Sequence, residues 1–260
     1  MAVSPTYLAA PGPLAFAHRG GAGTGTNVGI ENTMASFSDA VGRGYTYLET
    51  DVRCSADGTV FALHDETLLR VTGNPARVAD LTDAQLAEER LDGREPPARL
   101  QDVYEAFPQA RLNIDVKTRG AVEATCALIE RLGVVDRTCL ASFDHATLRA
   151  IRRRLPAVTT SASSLEVAEL VLRPTTALRR LGVIRADCLQ VPVRRGRVTV
   201  VTPRFLAKAH RLGLQVHVWT IDDADEMNRL LDLGVDGLIT DRTDILREVM
   251  EARGTWKDNA

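Results

Sequence analysis

The 260-residue sequence contains no long hydrophobic run. None approaches the ~18 consecutive apolar residues of a membrane-spanning helix. The opening stretch "MAVSPTYLAAPGPLAFAHRG" lacks the basic start and apolar core of a secretory leader, so no signal peptide is expected. Neither sign of charge is in excess. A formal net charge of -2 gives no footprint for nucleic acid or for an anionic membrane surface. Cysteine is scarce. Cys54, Cys126, Cys139 and Cys188 share no metal-type spacing and read as reduced thiols of a cytoplasmic protein. No low-complexity segment and no linker interrupts the chain, so one domain over 1–260 is expected.

What is present repeats. Eight short apolar, β-branched runs recur: "LAFAH" (14–18), "TYLETDV" (46–52), "RLNIDVK" (111–117), "TCLASF" (138–143), "AVTTSA" (157–162), "CLQVPV" (188–193), "QVHVWT" (215–220) and "GLITD" (237–241). Helix-period segments lie between most of them. "ENTMASFSDAVGRG" spaces Met34, Phe37 and Val41 as one helix face and stops at Gly42 and Gly44. "AVEATCALIERLG" and "TPRFLAKAHRLG" end alike in Leu-Gly, and "DDADEMNRLLDLG" runs from acids to glycine. Strands alternating with helices imply parallel βαβ units, and eight units at this length predict a closed (β/α)8 TIM barrel. Residues 53–110 are too long for one crossover. They predict a small insertion after the second barrel strand, opened by the Asp57-Gly58 turn and the strand "TVFALHD".

In such a barrel the ligand meets side chains at the C-terminal ends of the strands. His18 and Arg19 end the first. Glu49 and Asp51 end the second, two residues apart and so on one face; Asp115 and Lys117 repeat that spacing on the third. A Glu-x-Asp alone is also what a salt-bridged strand end looks like. Three converging carboxylates would repel, and a hard divalent cation, Mg²⁺ or Ca²⁺, relieves that repulsion with oxygen ligands. Arg19 offers a planar fork suited to phosphate. His18 and His64 can exchange protons near neutral pH. Trp219 would wall the pocket. His145, His210 and His217 read as ordinary packed or surface residues.

His18-Arg19-Gly20, Glu31-Asn32-Thr33, Glu49-Thr50-Asp51, Asp57-Gly58 with His64-Asp65, and Leu68-Leu69-Arg70-Val71-Thr72-Gly73 occur in this order. That ordered set resembles the glycerophosphodiester phosphodiesterase family. "LNIDVK", "VHVWTID" and "GLITDRTDIL" are similar to the family's later strands, so the likeness runs from about residue 14 to 250. The resemblance implies a (β/α)8 barrel and one divalent metal on Glu49, Asp51 and Asp115. It also implies His18 and His64 as catalytic residues; the pattern does not say which is acid and which is base, and His64 is our choice for the acid. Arg19, Lys117 and Trp219 would bind a small-molecule glycerophosphodiester, which is hydrolysed to an alcohol and sn-glycerol 3-phosphate.

Two alternatives stay open. One is a lysophospholipase D-type or cyclising activity on lysophospholipids, which would call for an apolar rim that the long loops do not display. The other is a non-catalytic phosphodiester-binding protein. Three departures from the family pattern stand out. Asp115 replaces the usual Glu and reaches one methylene less far. Ile30 replaces a common Pro in the glycine-rich loop 21–30, which reads as a flexible surface loop. Asp222 replaces a frequent Asn and reads as a helix N-cap.

Overall fold

The computed structural model describes residues 6–256. Its centre is a ring of strands. β1 (Leu14–Ala17) pairs in parallel with β2 (Tyr47–Cys54) on one side. β2 carries β3 (Val60–Ala62) as an antiparallel hairpin arm and continues in parallel to β4 (Arg111–Val116). β5 (Thr138–Ala141) and β6 (Thr159–Thr160) extend that arc. On the other side come β7 (Cys188–Pro192), β10 (Gln215–Trp219) and β11 (Gly237–Thr240), which returns to β1. Between them lies the separate hairpin of β8 (Arg194–Arg195) and β9 (Val198–Thr199). A parallel bridge from Ser161 to Cys188 joins β6 to β7 and closes the circuit of eight parallel strands.

Helices surround the ring. α1 (Met34–Gly42) follows β1; α2 (Leu69–Thr72), α3 (Asp83–Glu88) and α4 (Leu100–Ala106) follow β3. α5 (Val122–Leu132), α6 (His145–Arg154), α7 (Ser164–Leu172) and α8 (Thr175–Leu181) lie between β4 and β7. α9 (Pro203–Arg211), α10 (Ala224–Leu233) and α11 (Thr243–Ala252) complete the circuit. Local chemistry sets their ends. Thr33 and Ser36 form a reciprocal capping box at α1, and Thr202 caps α9 ahead of Pro203. Gly133 and Gly234 end α5 and α10 in left-handed conformation. Buried Leu48, Leu112, Leu140 and Leu189 on the strands meet Phe37, Ile129, Leu148 and Leu206 from the helices. Each such side chain contributes about 1.5–3 kcal/mol through burial.

The lower end of the barrel is plugged. Tyr7 and Leu8, with Phe16, Tyr47, Cys139 and Cys188, form a second apolar cluster at the strand starts. His217 is fully buried there, its ring 4.8 Å from Phe16. The opposite mouth is where the polar strand ends gather.

The eight strands fall where the hydrophobic runs place them. Several details differ. β6 keeps only two of its six expected residues as strand. Helix α4 packs Leu100, Val103 and Tyr104 into the main core, so the insertion proper is the part before it. That part has its own small core of Phe61, Leu63, Leu68, Val78, Leu81 and Leu86. Val41 does not share the buried face of Phe37; Ala40 takes that place. Asp222 is not the N-cap of α10. Asp223 is, accepting from the Glu226 N–H at 2.9 Å.

Candidate active site

Six of the eight expected residues meet directly at the mouth. His18 and Arg19 lie in a tight turn straight after β1. Arg19 is left-handed at φ 50, a conformation that costs a non-glycine residue about 1–2 kcal/mol. The turn aims the Arg19 N–H at Glu49 Oε2, 3.2 Å away. It also leaves no room for a side chain at the next residue: a Cβ on Gly20 would sit 2.4 Å from Ser36 Oγ. Glu49 and Asp51 face the barrel interior from β2, where Asp51 stands in register with Asp115 of β4. Lys117 lies just past β4, with Nζ 2.6 Å from Asp51 Oδ1 and 2.7 Å from Asp115 Oδ2. Arg19 Nε is 3.1 Å from Asp51 Oδ2, a charge contact without a hydrogen bond's alignment.

Both histidines are held through Nδ1 by an aspartate. His18 Nδ1 meets Asp241 Oδ1 at 2.7 Å, and His64 Nδ1 meets Asp65 Oδ1 at 2.6 Å. If each Nδ1 donates to its carboxylate, each Nε2 is left to handle a proton. His18 Nε2 points toward Glu49, 3.8 Å from Oε2. His64 arrives on the return arm of the Asp57-Gly58 hairpin, whose Leu63 N–H donates to the Asp51 carbonyl at 2.9 Å. It touches none of the six directly, although Asp51 and Asp115 both feel its charge. Trp219 also stands apart, packed edge-to-face on Phe143 at 5.7 Å. Phe143 is 57% exposed at the end of β5. The mouth therefore does carry an apolar spot, made by two strand ends rather than by the long loops.

Burial and charge compete in this cluster. Burial pushes the Glu49 carboxyl up to about 7; His18 and Arg19 pull it down only in part, and Asp51 adds to the rise. Burial also acts on Asp51, but Lys117 and Arg19 outweigh it and hold that carboxyl below its usual range. Asp115 stays above its ordinary value because burial exceeds the pull of Lys117. Burial would lower His18, yet Glu49 and Asp241 together raise it.

Among the described residues, no three His, Cys, Asp or Glu side chains form a ready metal cage. The reason is local: the Lys117 ammonium lies between Asp51 and Asp115, and Glu49 is turned to the Arg19 N–H. The donor set nevertheless fits a hard cation. All three groups offer oxygen, all are buried, and Glu49 is a buried carboxyl with its charge under-compensated.

Several supporting residues carry no role at the site in the sequence reading. Asn32 donates to Asp51 Oδ2 at 3.2 Å and accepts from Thr50 at 2.7 Å, which fixes the Asp51 rotamer. Asp65 and Asp241 stand beside His64 and at the end of β11, and those positions were their only signal. Asp222 accepts from Thr240 Oγ1 at 2.9 Å and from the Asp241 N–H at 2.8 Å, so it shapes the loop that presents Asp241. Loop 21–30 is fastened rather than loose. Buried Thr24 donates to the Asp241 carbonyl and accepts from the Thr243 N–H, both at 2.9 Å, and Asn27 is buried against Gly20 and Asp39.

Two cations, three buried carboxylates and two aspartate-held histidines at the C-terminal mouth of a (β/α)8 barrel make a constellation suited to an enzyme acting on phosphate esters. The family model described as "Glycerophosphoryl diester phosphodiesterase family" matches residues 18–245, and the chain belongs to that family. It is 38% identical over 256 residues to a probable glycerophosphodiester phosphodiesterase 2 of Mycobacterium tuberculosis, covering 96% of this chain and 95% of the relative. It is 26% identical to a lysophospholipase D of Homo sapiens, covering 90% and 85%. Among solved structures, a phosphodiesterase of Oleispira antarctica in complex with the product sn-glycerol-3-phosphate superposes with a TM-score of 0.78 at 21% identity, covering 92% and 97%. A putative glycerophosphoryl diester phosphodiesterase from Silicibacter pomeroyi gives 0.79 at 24%, covering 97% and 100%. Members of the family generally depend on a divalent cation. No helix among the described residues is long and apolar enough to cross a membrane.

Proposed function

We propose that this chain hydrolyses a glycerophosphodiester, adding water at phosphorus and breaking the phosphorus–oxygen bond to the alcohol. The products are that alcohol and sn-glycerol 3-phosphate. The observation that carries the reading is the meeting of Arg19 and Lys117 with three buried carboxylates, flanked by two aspartate-held histidines. Arg19 and Lys117 bind the non-bridging oxygens and take up negative charge as the transition state forms. His18 removes the proton of the attacking water, and His64 delivers one to the departing alkoxide. Burial favours His18 for the inner role, since its side chain is 16% exposed against 35% for His64. Glu49, Asp51 and Asp115 would hold Mg²⁺ or Ca²⁺, and Lys117, now paired with Asp51 and Asp115, would turn to the phosphate instead. Such an ion supplies Lewis-acid stabilisation of phosphoryl charge. With the Glu49 charge so taken up, His18 would lose one of the two carboxylates that favour its protonated form, and Asp241 would remain.

Trp219 and the exposed Phe143 form the apolar side of the mouth. They favour a second reading in which the glycerol side carries an acyl chain, as in a lysophospholipid. The family match over residues 18–245 supports one phosphodiesterase unit, and the free thiols support a cytoplasmic setting. The test is direct. Glycerophosphocholine and lysophosphatidylcholine are each incubated with the purified protein, with and without chelator. Choline and glycerol 3-phosphate are measured from the first, and choline from the second. Release of glycerol 3-phosphate, abolished by chelator, is expected; no turnover of either substrate overturns the reading.

A further inference from the structure

His64 poses a positioning problem. It does not ride on a barrel strand. It belongs to an insertion with its own small core, so its place over the carboxylates depends on how that insertion is tied to the barrel. The backbone is tied by the pairing of β3 with β2, by the Leu63 N–H on the Asp51 carbonyl and by Arg53 Nε on the His64 carbonyl at 2.9 Å. The His64 ring is tied by a chain of charge-assisted hydrogen bonds. His64 Nδ1 meets Asp65 Oδ1 at 2.6 Å. Asp65 Oδ2 accepts from Arg70 Nε, also at 2.6 Å. Arg70 Nη1 and Nη2 donate to Glu31 Oε2 and Oε1 at 2.8 and 2.6 Å. Glu31 Oε1 then accepts from Arg19 Nη1 at 3.0 Å. The guanidinium of Arg70 thus uses its Nε edge on one carboxylate and its forked edge on the other.

From this we propose that Arg70 is a positioning residue for the reaction: it locks His64, through Asp65, in register with the phosphate-binding Arg19, through Glu31. The inference rests on the reading of His64 as a proton-transfer group. The chemistry of the network favours positioning over stability. Arg70 is 50% exposed, and ion pairs at such exposure contribute little to the fold. Two carboxylates oriented by one rigid, planar cation fix angles as well as distances, which a lysine cannot do. Burial acts to raise both Glu31 and Asp65, yet their hydrogen bonds to Arg70, with Arg19 on Glu31 and His64 on Asp65, keep both below their ordinary range. They therefore remain charged acceptors near neutral pH. Arg70 is also poorly placed to bind phosphate itself, since both edges of its guanidinium are already engaged.

The test is a double-mutant cycle in the full chain, on glycerophosphocholine. Arg70→Ala should lower kcat on the order of 10–100-fold with KM little changed, as expected for a misplaced proton donor. Arg70→Lys, which keeps the charge but loses the fork, should recover only part. In a His64→Ala background, Arg70→Ala should cost nothing further, because its effect passes through that ring. Arg77→Ala, which breaks an exposed pair with Glu66 in the same insertion, serves as the control and should leave kcat unchanged. A rise in KM at constant kcat would assign Arg70 to phosphate binding and overturn the proposal. An equal loss in the His64→Ala background would overturn it too, as would normal kcat in Arg70→Ala beside an inactive His64→Ala. Full activity of His64→Ala removes the underlying reading instead. If Arg70→Ala does not fold, Arg70→Gln and Glu31→Gln carry the same cycle.

Discussion

His18 Nδ1 lies 2.7 Å from Asp241 Oδ1, across the seam where the first and last barrel strands pair. Eighteen residues in, the chain thus depends on an acid near its other end to orient a ring. Asp241 is itself held by Asp222 and by Thr24 of the glycine-rich loop. Asp241→Asn preserves the shape and removes the charge. It should lower kcat on the order of 100-fold, less than loss of the whole His18 group. Its melting temperature should stay near that of the parent. Unchanged turnover would mean that His18 is oriented by packing alone.

Cation binding can be read without turnover. Calorimetric titration with Mg²⁺ and with Ca²⁺ should show one site in the parent and none in Glu49→Gln. Asp115→Ala should bind more weakly, and Asp115→Glu should restore binding through its longer reach. Equal affinity in Asp115→Ala and parent would leave Glu49 and Asp51 as the only protein ligands. Full activity after dialysis into excess chelator would remove the cation from the reading.

The barrel was legible in the sequence because each strand is buried on both faces and reads as a short apolar run ending in polar residues. The site was legible for the same reason: period-2 spacing placed Glu49 with Asp51, and the Asp57-Gly58 turn returned His64. The supporting residues were not. Asp241, Thr24 and Asp222 act through contacts made across nearly the whole length of the chain, and no local pattern marks them. Asp222 was misread because Asp222 and Asp223 are equally good caps in isolation, and only the tertiary position of Thr240 decides between them. The short α8 and the β8–β9 hairpin were missed for another reason. Thr175–Leu181 has one fully buried side chain, and the hairpin has none, so neither shows strong periodicity.

Away from the mouth, Arg152 of α6 donates to both oxygens of Glu166, at 2.8 and 3.2 Å. Glu166 also accepts from the N–H groups of Ser163 and Arg185. Its side chain is only 2% exposed. Burial pushes this carboxyl up, but Arg152 and the backbone donors prevail and hold it below its usual 4.5. Arg152→Met strands a buried charge and should cost about 3–5 kcal/mol at neutral pH in chemical denaturation. The sign with pH follows from linkage. The unfolded carboxyl takes its proton first, so the parent loses this contribution as pH falls below 4.5 through the lower folded value. Arg152→Met should behave oppositely, recovering stability as acid neutralises the stranded carboxyl. A parallel pH profile for the two proteins would show that the pair does not couple to folding.

The division of labour between the histidines can be decided by the leaving group. An alkoxide is a poor leaving group and needs a proton as it departs; p-nitrophenolate does not. On a glycerophosphodiester, His18→Ala and His64→Ala should each lose about 100–10,000-fold, the range for general acid–base groups. The two losses should not add fully, because both serve one transition state. On a p-nitrophenyl phosphodiester the two variants should part. His64→Ala should recover much of its rate, since the step it assists is no longer demanding. His18→Ala should remain slow, since water must still be deprotonated beside Glu49. The burial of the two rings argues for this order: His18 sits inside, against the carboxylates, whereas His64 is the more exposed ring. Recovery by His18→Ala alone would exchange the roles. Equal inactivity of both on the activated ester would mean that at least one ring serves to bind phosphate rather than to move a proton.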